Sequence, residues 1–211
     1  MSTFVLLHGA GSDGWYWHLV APRLEAAGHR VLAPDLPVAD PDAGLDAYVA
    51  AATAGLGPGD DDVVSVGQSL GGFIAPLVPC RLLVYVAAMV PAPGEDMGDW
   101  WENTGFPEPA TWDPVALFLH DVPEDVARQS EGHVTEQSGR LSQDTWPADG
   151  WPDVETRFLL CRDDRFFPAD FQRRVVGERL GITPDEMDGG HLPALARPDE
   201  LADRLLAYAA G

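Results

Sequence analysis

Residues 67–72 have the sequence GQSLGG, and they lie between an apolar run at 63–66 and a second apolar run at 73–77. The first run, VVSV, is β-branched or small, as a buried strand requires, and the second is typical of a short apolar helix. Gly-x-Ser-x-Gly at a strand-to-helix turn presents a serine hydroxyl as a nucleophile. Such a turn strains the backbone at Ser69 and needs small residues at Gly67 and Gly71, so that the two segments can approach. A glycine-rich turn without chemistry is the alternative interpretation of the pentapeptide alone.

Strands and helices alternate on both sides of this turn. The predicted strands lie at 3–8, 30–34, 62–66, 81–88, 157–161 and 182–187. The predicted helices outside the turn lie at 16–27, 45–56, 168–180 and 198–210. The strand at 81–88 is a continuous apolar run, which is typical of a strand buried on both faces. The alternation predicts an α/β fold with a mostly parallel, doubly wound sheet of about six strands.

The alternation breaks between residues 91 and 152, which are rich in proline, glycine, acids and tryptophan, with predicted short helices near 113–120 and 123–130. We expect one domain over 1–211 in which about 91–152 is a small cap insertion, because the early strands and the late one would belong to the same sheet. The tryptophans of this segment favour an apolar or aromatic substrate, or equally a small core of the insertion's own. They are Trp100, Trp101, Trp112, Trp146 and Trp151.

The composition limits the partners. A chain of 211 residues that is 45% hydrophobic suits a single domain. Its 13 basic residues, all arginine, stand against 34 acids and give a net charge of −21. This charge balance argues against binding to nucleic acid or to an anionic membrane, since a protein needs a basic surface to bind either. We therefore expect a neutral small molecule as partner. The arginine bias indicates a GC-rich genome and hence a bacterium, and the acidity is also compatible with adaptation to high salt.

Localisation and cofactors follow from what the sequence lacks. It has no apolar stretch long enough to cross a bilayer and no basic leader before residue 4. The two cysteines, Cys80 and Cys161, cannot form a disulfide framework, and no Cys/His cluster has the spacing of metal ligands. We expect a cytoplasmic protein without a metal or a cofactor. The oligomeric state stays open, with a homodimer as one alternative.

Residues that could activate Ser69 follow it in the order acid, then histidine. A serine hydroxyl needs a neighbouring base, which is itself oriented by an acid. Asp163 and Asp164 follow the strand at 157–161, and His191 follows a Gly-Gly pair after the last strand. Catalytic groups collect at the carboxyl ends of strands in open α/β sheets, so we predict His191 as the base and Asp164 as its orienting acid, with Asp163 as the competitor. The other histidines considered are expected to be surface or packing residues; they are His18, His29, His120 and His133.

The backbone N–H groups of Ala10 and Leu70 are the predicted oxyanion donors. Leu70 follows the nucleophile, and Ala10 lies in the glycine-rich loop 9–14 after the first strand. The predicted helix after Ser69 would add its dipole to these donors. The loop lacks the P-loop lysine and does not match Gly-x-Gly-x-x-Gly, so nucleotide binding is not expected.

Together these motifs resemble the α/β-hydrolase superfamily, and most of all its branch of plant methyl-ester esterases and hydroxynitrile lyases. The resemblance covers nearly the whole chain and rests on HGAG at 8–11, GQSLGG at 67–72, CRDD at 161–164 and GHLPAL at 190–195. It implies the α/β-hydrolase fold, with the insertion as a cap over the active site. It also favours Asp164 over Asp163, because the family's acid stands three residues after the cysteine of a similar turn.

Two departures separate the chain from the lyase type. Lyases of that branch carry a lysine after the catalytic histidine and a threonine after the first-strand histidine, where this chain has Leu192 and Gly9. A cyanohydrin lyase needs a cation to stabilise departing cyanide, and this chain contains no lysine. We therefore predict a serine hydrolase of the carboxylesterase type that cleaves a small, apolar or aromatic ester. The alternatives are a hydroxynitrile-lyase-like activity and a non-catalytic ligand-binding protein.

Overall fold

The computed structural model describes residues 1–147 and 151–211, and six strands in this part of the chain form one sheet. The strands are β1 (Thr3–Leu7), β2 (Arg30–Leu32), β3 (Val63–Gln68), β4 (Leu82–Val86), β5 (Glu155–Cys161) and β6 (Asp185–Met187). Their order is β2-β1-β3-β4-β5-β6, and each neighbouring pair is parallel. The predicted α/β fold is confirmed, and this sheet is parallel throughout.

Helices cover both faces of the sheet. They are α1 (Ala21–Ala26), α2 (Leu45–Thr53), α3 (Trp100–Asn103), α4 (Glu124–Ser130), α5 (Ala169–Leu180), α6 (Pro193–Ala196) and α7 (Pro198–Ala210). Successive strand residues point to opposite faces. Val5 and Leu7 accordingly belong to the core under α2 and α5, while Phe4 and Leu6 belong to the core under α1 and α7. The sheet is therefore doubly wound, as predicted.

Two predicted helices are shorter than expected. The predicted helix at 16–27 is a 3-10 turn, Gly14–Trp17, followed by α1. The predicted helix after Ser69 is wrong as an α-helix: the chain forms 3-10 turns at Ser69–Phe73 and Ala75–Leu77 instead. Pro76 has no N–H to donate to a continuing helix, so the apolar run cannot lengthen into one. The helix dipole predicted at Ser69 is thus reduced to the dipole of the short 3-10 turn that begins there.

The turn at Ser69 is held by close backbone contacts. Ser69 has φ +49°, in the left-handed region that side chains rarely adopt. A Cβ added at Gly67 would lie 2.6 Å from the Gly71 oxygen, and one at Gly71 would lie 2.7 Å from the Leu7 oxygen. A Cβ at Gly72 would overlap the carbonyl oxygen of Met89. The glycines of this motif are required by lack of space, whereas the left-handed conformation belongs to Ser69 itself.

We expect Gly72→Ala to lower the free energy of unfolding by about 3 kcal/mol, because overlap in a packed site forces the backbone to move. Gly177→Ala is the matched control: it lies on α5 with no atom within 4 Å of its added Cβ. That change should raise the free energy of unfolding by up to about 1 kcal/mol, since alanine is the better helix former. Urea denaturation measures both variants, and equal stability of the two would contradict this account of the turn.

The segment 91–152, here called the insertion, joins β4 to β5, and residues 148–150 of it lie outside the described part. Its predicted helices are a π-helical turn, Val115–Leu119, and α4. Trp100 and Trp146 are fully buried in the molecular core and donate their Nε1–H groups to the carbonyl oxygens of Val90 and Phe73, each at 2.9 Å. These two tryptophans therefore serve packing.

A buried ion pair ties the insertion to α5. Arg179 donates to both carboxylate oxygens of Glu95, at 2.6 and 2.7 Å. Burial alone would raise the pKa of Glu95, but the hydrogen bonds from Arg179 and Asn103 outweigh it and lower that pKa.

None of the helices formed by residues 1–147 and 151–211 is long and apolar enough to cross a membrane.

Candidate active site

Three predicted residues meet in a continuous chain of hydrogen bonds at the carboxyl edge of the sheet. Ser69 follows β3, and its Oγ lies 3.0 Å from His191 Nε2. His191 Nδ1 lies 2.7 Å from Asp164 Oδ2. An ionised carboxylate only accepts, so the imidazole proton sits on Nδ1 and leaves Nε2 to accept the serine proton. This is the geometry that general-base activation of a serine requires.

Asp164 is oriented by its own turn. Its Oδ1 accepts hydrogen bonds from the backbone N–H groups of Phe166 and Phe167, both at 2.8 Å, and its side chain is fully buried. Gln172 Nε2 lies 3.4 Å from the other carboxylate oxygen. The carboxylate therefore presents Oδ2 to the imidazole. Asp163, the competitor, instead accepts from the N–H of Gly189 at 3.0 Å.

His191 is enclosed by aromatic rings. The ring centroids of Phe118, Phe166 and Phe167 lie 5.4, 5.2 and 5.0 Å from that of the imidazole. The whole residue is 2% exposed, and its carbonyl oxygen accepts from Gln68 Nε2 at 3.0 Å. Packing and this hydrogen bond fix the imidazole against Ser69.

The loop after β1 lies directly against the serine. A Cβ on Gly9 would stand 3.0 Å from Ser69 Cβ and 2.6 Å from Gln68 Oε1. The N–H of Ala10 donates to no acceptor within residues 1–147 and 151–211. Leu70 is the second residue of its 3-10 turn, and the first N–H groups of such a turn have no acceptor within the turn. Neither N–H group is therefore used by a hydrogen bond of its own turn.

His8 holds the start of this loop. Its Nδ1 donates to the Gly9 carbonyl oxygen at 2.8 Å, and its Nε2 accepts from the Leu36 N–H at 3.0 Å. Burial lowers the pKa of His8, so the ring stays neutral and keeps both bonds at physiological pH. The roles of His8, Gln68 and Gln172 were missed by sequence reasoning, although two of them lie inside quoted motifs.

The insertion contacts the same loop. Thr135 N–H donates to the Gly11 carbonyl oxygen at 3.0 Å, and His133 Nδ1 lies 2.8 Å from Asp13 Oδ2. The Trp15 ring is stacked between His18 and His133, with centroid distances of 4.0 and 4.3 Å. These two histidines pack on the surface of the loop, in line with their predicted role.

The two cysteines do not provide a second nucleophile. Burial raises the pKa of the Cys80 thiol to about 11 and also raises the pKa of the Cys161 thiol well above its ordinary value, so both stay protonated and unreactive. Within residues 1–147 and 151–211, no three His, Cys, Asp or Glu side chains are arranged to hold a metal ion.

Comparison with known proteins decides the family. The alpha/beta hydrolase family matches residues 4–204, which is nearly the whole chain. The chain belongs to the alpha/beta hydrolase family. A relative in Oryza sativa is named probable esterase PIR7A. It is 28% identical to this hydrolase over an alignment 257 residues long, which covers 98% of this chain and 96% of that protein. Methylesterase 7 of Arabidopsis thaliana is 27% identical over 251 residues, with coverages of 98% and 95%.

The crystal structure of polyneuridine aldehyde esterase has the same fold as this hydrolase. The TM-score is 0.84 at 22% sequence identity, and 98% of each chain is covered. At this identity the likeness concerns the fold alone. The family and these relatives confirm the predicted class, an α/β-fold serine hydrolase of the esterase type.

Proposed function

We propose that this hydrolase cleaves a small carboxylic ester by acyl transfer to water, with Ser69 as nucleophile, His191 as base and Asp164 as orienting acid. The observation that carries the proposal is the unbroken hydrogen-bond chain from Ser69 Oγ through both imidazole nitrogens to Asp164. A base must reach the proton that it removes, and this one lies at hydrogen-bond distance. The positive φ of Ser69 supports the same assignment, because strained backbone is typical of functional sites.

In the first half of the reaction, Ser69 Oγ bonds to the carbonyl carbon while His191 Nε2 takes the serine proton. Asp164 stabilises the imidazolium that forms. The N–H groups of Ala10 and Leu70 donate hydrogen bonds to the former carbonyl oxygen and stabilise its negative charge. The carbon–oxygen bond to the alcohol then breaks, and the alcohol leaves with the proton from His191. An acyl-enzyme on Ser69 remains.

In the second half, water attacks the acyl carbon while His191 removes one of its protons. The tetrahedral intermediate collapses, Ser69 regains the proton, and the carboxylic acid leaves. The sum is ester plus water giving acid plus alcohol, which requires no cofactor.

A row of aromatic rings supports an apolar or aromatic substrate. Trp112 is 64% exposed, and its ring centroid lies 6.0 Å from that of Phe118 and 5.8 Å from that of Phe166. Both phenylalanines contact His191, so a row of contacting rings runs from the exposed Trp112 to the base. Aromatic rings favour contact with hydrocarbon rather than with charge. We propose that the insertion acts here as the predicted cap, and the methylesterase relative favours an ester of a small alcohol.

The lyase alternative has less support. The residue after His191 is Leu192, so no ammonium stands there to receive cyanide. The position after His8 is Gly9, where a Cβ would lie 2.6 Å from Gln68 Oε1, so a threonine would displace this glutamine. A non-catalytic ligand-binding protein does not require the hydrogen bonds that connect Ser69, His191 and Asp164, so this alternative does not account for them.

The test is an assay of the purified protein with 4-nitrophenyl acetate and, separately, with mandelonitrile. We expect steady release of 4-nitrophenol above the rate without protein, and no release of cyanide. Cyanide release without ester turnover would support the lyase. Absence of both activities would support ligand binding alone, and either of these results would overturn the proposed function.

A further inference from the structure

The two glycines before His191 are each held by a carboxylate. Asp163 Oδ2 accepts the Gly189 N–H at 3.0 Å, and Asp121 Oδ2 accepts the Gly190 N–H at 2.6 Å. Asp163 belongs to the turn that also carries Asp164, whereas Asp121 belongs to the insertion, 69 residues before Gly190. Hydrogen bonds from N–H groups to ionised carboxylates are roughly twice as strong as neutral ones. The insertion thus holds the Gly189–Gly190 peptide group, one residue before the base.

The contact is close as well as charged. A Cβ added at Gly190 would lie 2.7 Å from Asp121 Oδ1 and 2.7 Å from His120 Nε2. Gly189 has φ +115°, a conformation that only glycine adopts readily. The backbone at Gly190 therefore packs against the side chains of His120 and Asp121 and leaves no room for a larger residue at this position.

The same contact leaves polar atoms without partners. Asp121 Oδ1 and His120 Nε2 are buried, and neither has a hydrogen-bond partner within the part of the chain that the structure describes. The two atoms lie 4.0 Å apart. A buried polar atom without a partner costs stability, so such atoms persist where another requirement holds them. Here that requirement is the hydrogen bond that the Gly190 N–H donates to Asp121 Oδ2.

The residues just before Asp121 contact the base itself. The π-helical turn Val115–Leu119 carries Phe118 against the His191 ring, and Arg165 Nη1 donates to the Ala116 carbonyl oxygen at 3.2 Å. Irregular turns of this type are frequent at functional sites. Residues 115–121 therefore contact both the ring of His191 and the backbone that precedes it.

We propose that Asp121 is a positioning residue for His191, which aligns the imidazole with Ser69 through the Gly190 N–H and so couples docking of the insertion to the catalytic base. The inference rests on the proposed function, in which His191 is that base. Misplacement of a reacting group by about 1 Å can lower a rate by about 100-fold. Because Asp121 acts on the base rather than on the substrate, its loss should appear in kcat and not in KM.

The test compares four variants in ester hydrolysis. We expect Asp121→Ala to lower kcat by about 10- to 100-fold with KM within about twofold. Asp121→Asn should retain kcat within about threefold, because its amide oxygen still accepts from Gly190. Asp121→Glu, which keeps the charge but moves it by one methylene, should lower kcat by about tenfold. Asp125→Ala removes an exposed carboxylate from α4 and should leave kcat unchanged.

A second readout does not depend on turnover. The proton on His191 Nδ1, bonded to Asp164, should give a downfield proton resonance in the wild type, in Asp121→Asn and in Asp125→Ala. That resonance should shift or broaden in Asp121→Ala and Asp121→Glu. If the wild type hydrolyses no ester while the resonance responds in this way, the proposed function fails and the positioning role stands. If kcat and the resonance are both unchanged in the folded Asp121→Ala and Asp121→Glu variants, the inference is overturned.

Discussion

Ser69→Ala is expected to lower kcat for ester hydrolysis by about 10⁵-fold, because no other side chain can form the acyl-enzyme. KM should change little, since the hydroxyl adds its binding energy only in the transition state. The residual rate would come from the oxyanion donors and from binding. Steady-state kinetics with 4-nitrophenyl acetate measure the effect, with the variant purified separately from the wild type.

Ser65→Ala is the matched control for this variant. Ser65 is a fully buried serine of β3, and its hydroxyl donates to the Ala75 carbonyl oxygen at 2.9 Å. Its loss should lower the free energy of unfolding by about 1 kcal/mol and leave kcat within twofold of the wild type. A Ser69→Ala protein that kept a tenth of wild-type activity would rule out Ser69 as the nucleophile.

Asp164→Asn is expected to lower kcat by about 10⁴-fold. An amide at this position favours the wrong imidazole tautomer and no longer stabilises the imidazolium. Asp163→Asn should cost less than about tenfold, because its amide oxygen can still accept from Gly189. The ratio of the two kcat values is the measurement. A larger loss in Asp163→Asn would show that the neighbouring acid had been chosen wrongly.

Much of the fold could be predicted from the sequence because its strands are apolar runs with clear ends. The predicted strands at 62–66 and 157–161 correspond to β3 (Val63–Gln68) and β5 (Glu155–Cys161). The predicted helix bounds differ from the observed ones where side chains compete with the backbone for hydrogen bonds. Asp13 accepts from the Trp15 N–H at 2.9 Å and starts a 3-10 turn where a helix was predicted.

The candidate site was predictable in part for a different reason. Ser69, Asp164 and His191 each follow a strand, and parallel strands bring their carboxyl ends to one edge. The sequence therefore predicted which residues meet, and the structure supplies their distances. Their catalytic roles stay predictions until the variants are assayed.

The supporting contacts were beyond sequence reasoning. Asp121 lies in an irregular segment, 69 residues from the glycine that it holds, and no periodic pattern connects the two. His120 was predicted to be a surface or packing residue, and its Nε2 is buried against that glycine, which the sequence alone did not indicate. Two carboxylates, of Asp163 and Asp121, also accept from both N–H groups of the glycine pair before His191. Such contacts depend on how the insertion folds back onto the sheet edge.

Covalent labelling shows whether Ser69 is a nucleophile activated by His191. The wild-type protein would be incubated with an alkyl fluorophosphonate, which phosphonylates activated serines, and its intact mass and peptides measured. We expect a single adduct on the peptide that contains Ser69. We expect no adduct in Ser69→Ala, slow labelling in His191→Ala and unchanged labelling in Ser65→Ala. An unlabelled wild type, or an adduct that persists in Ser69→Ala, would rule out Ser69 as an activated nucleophile.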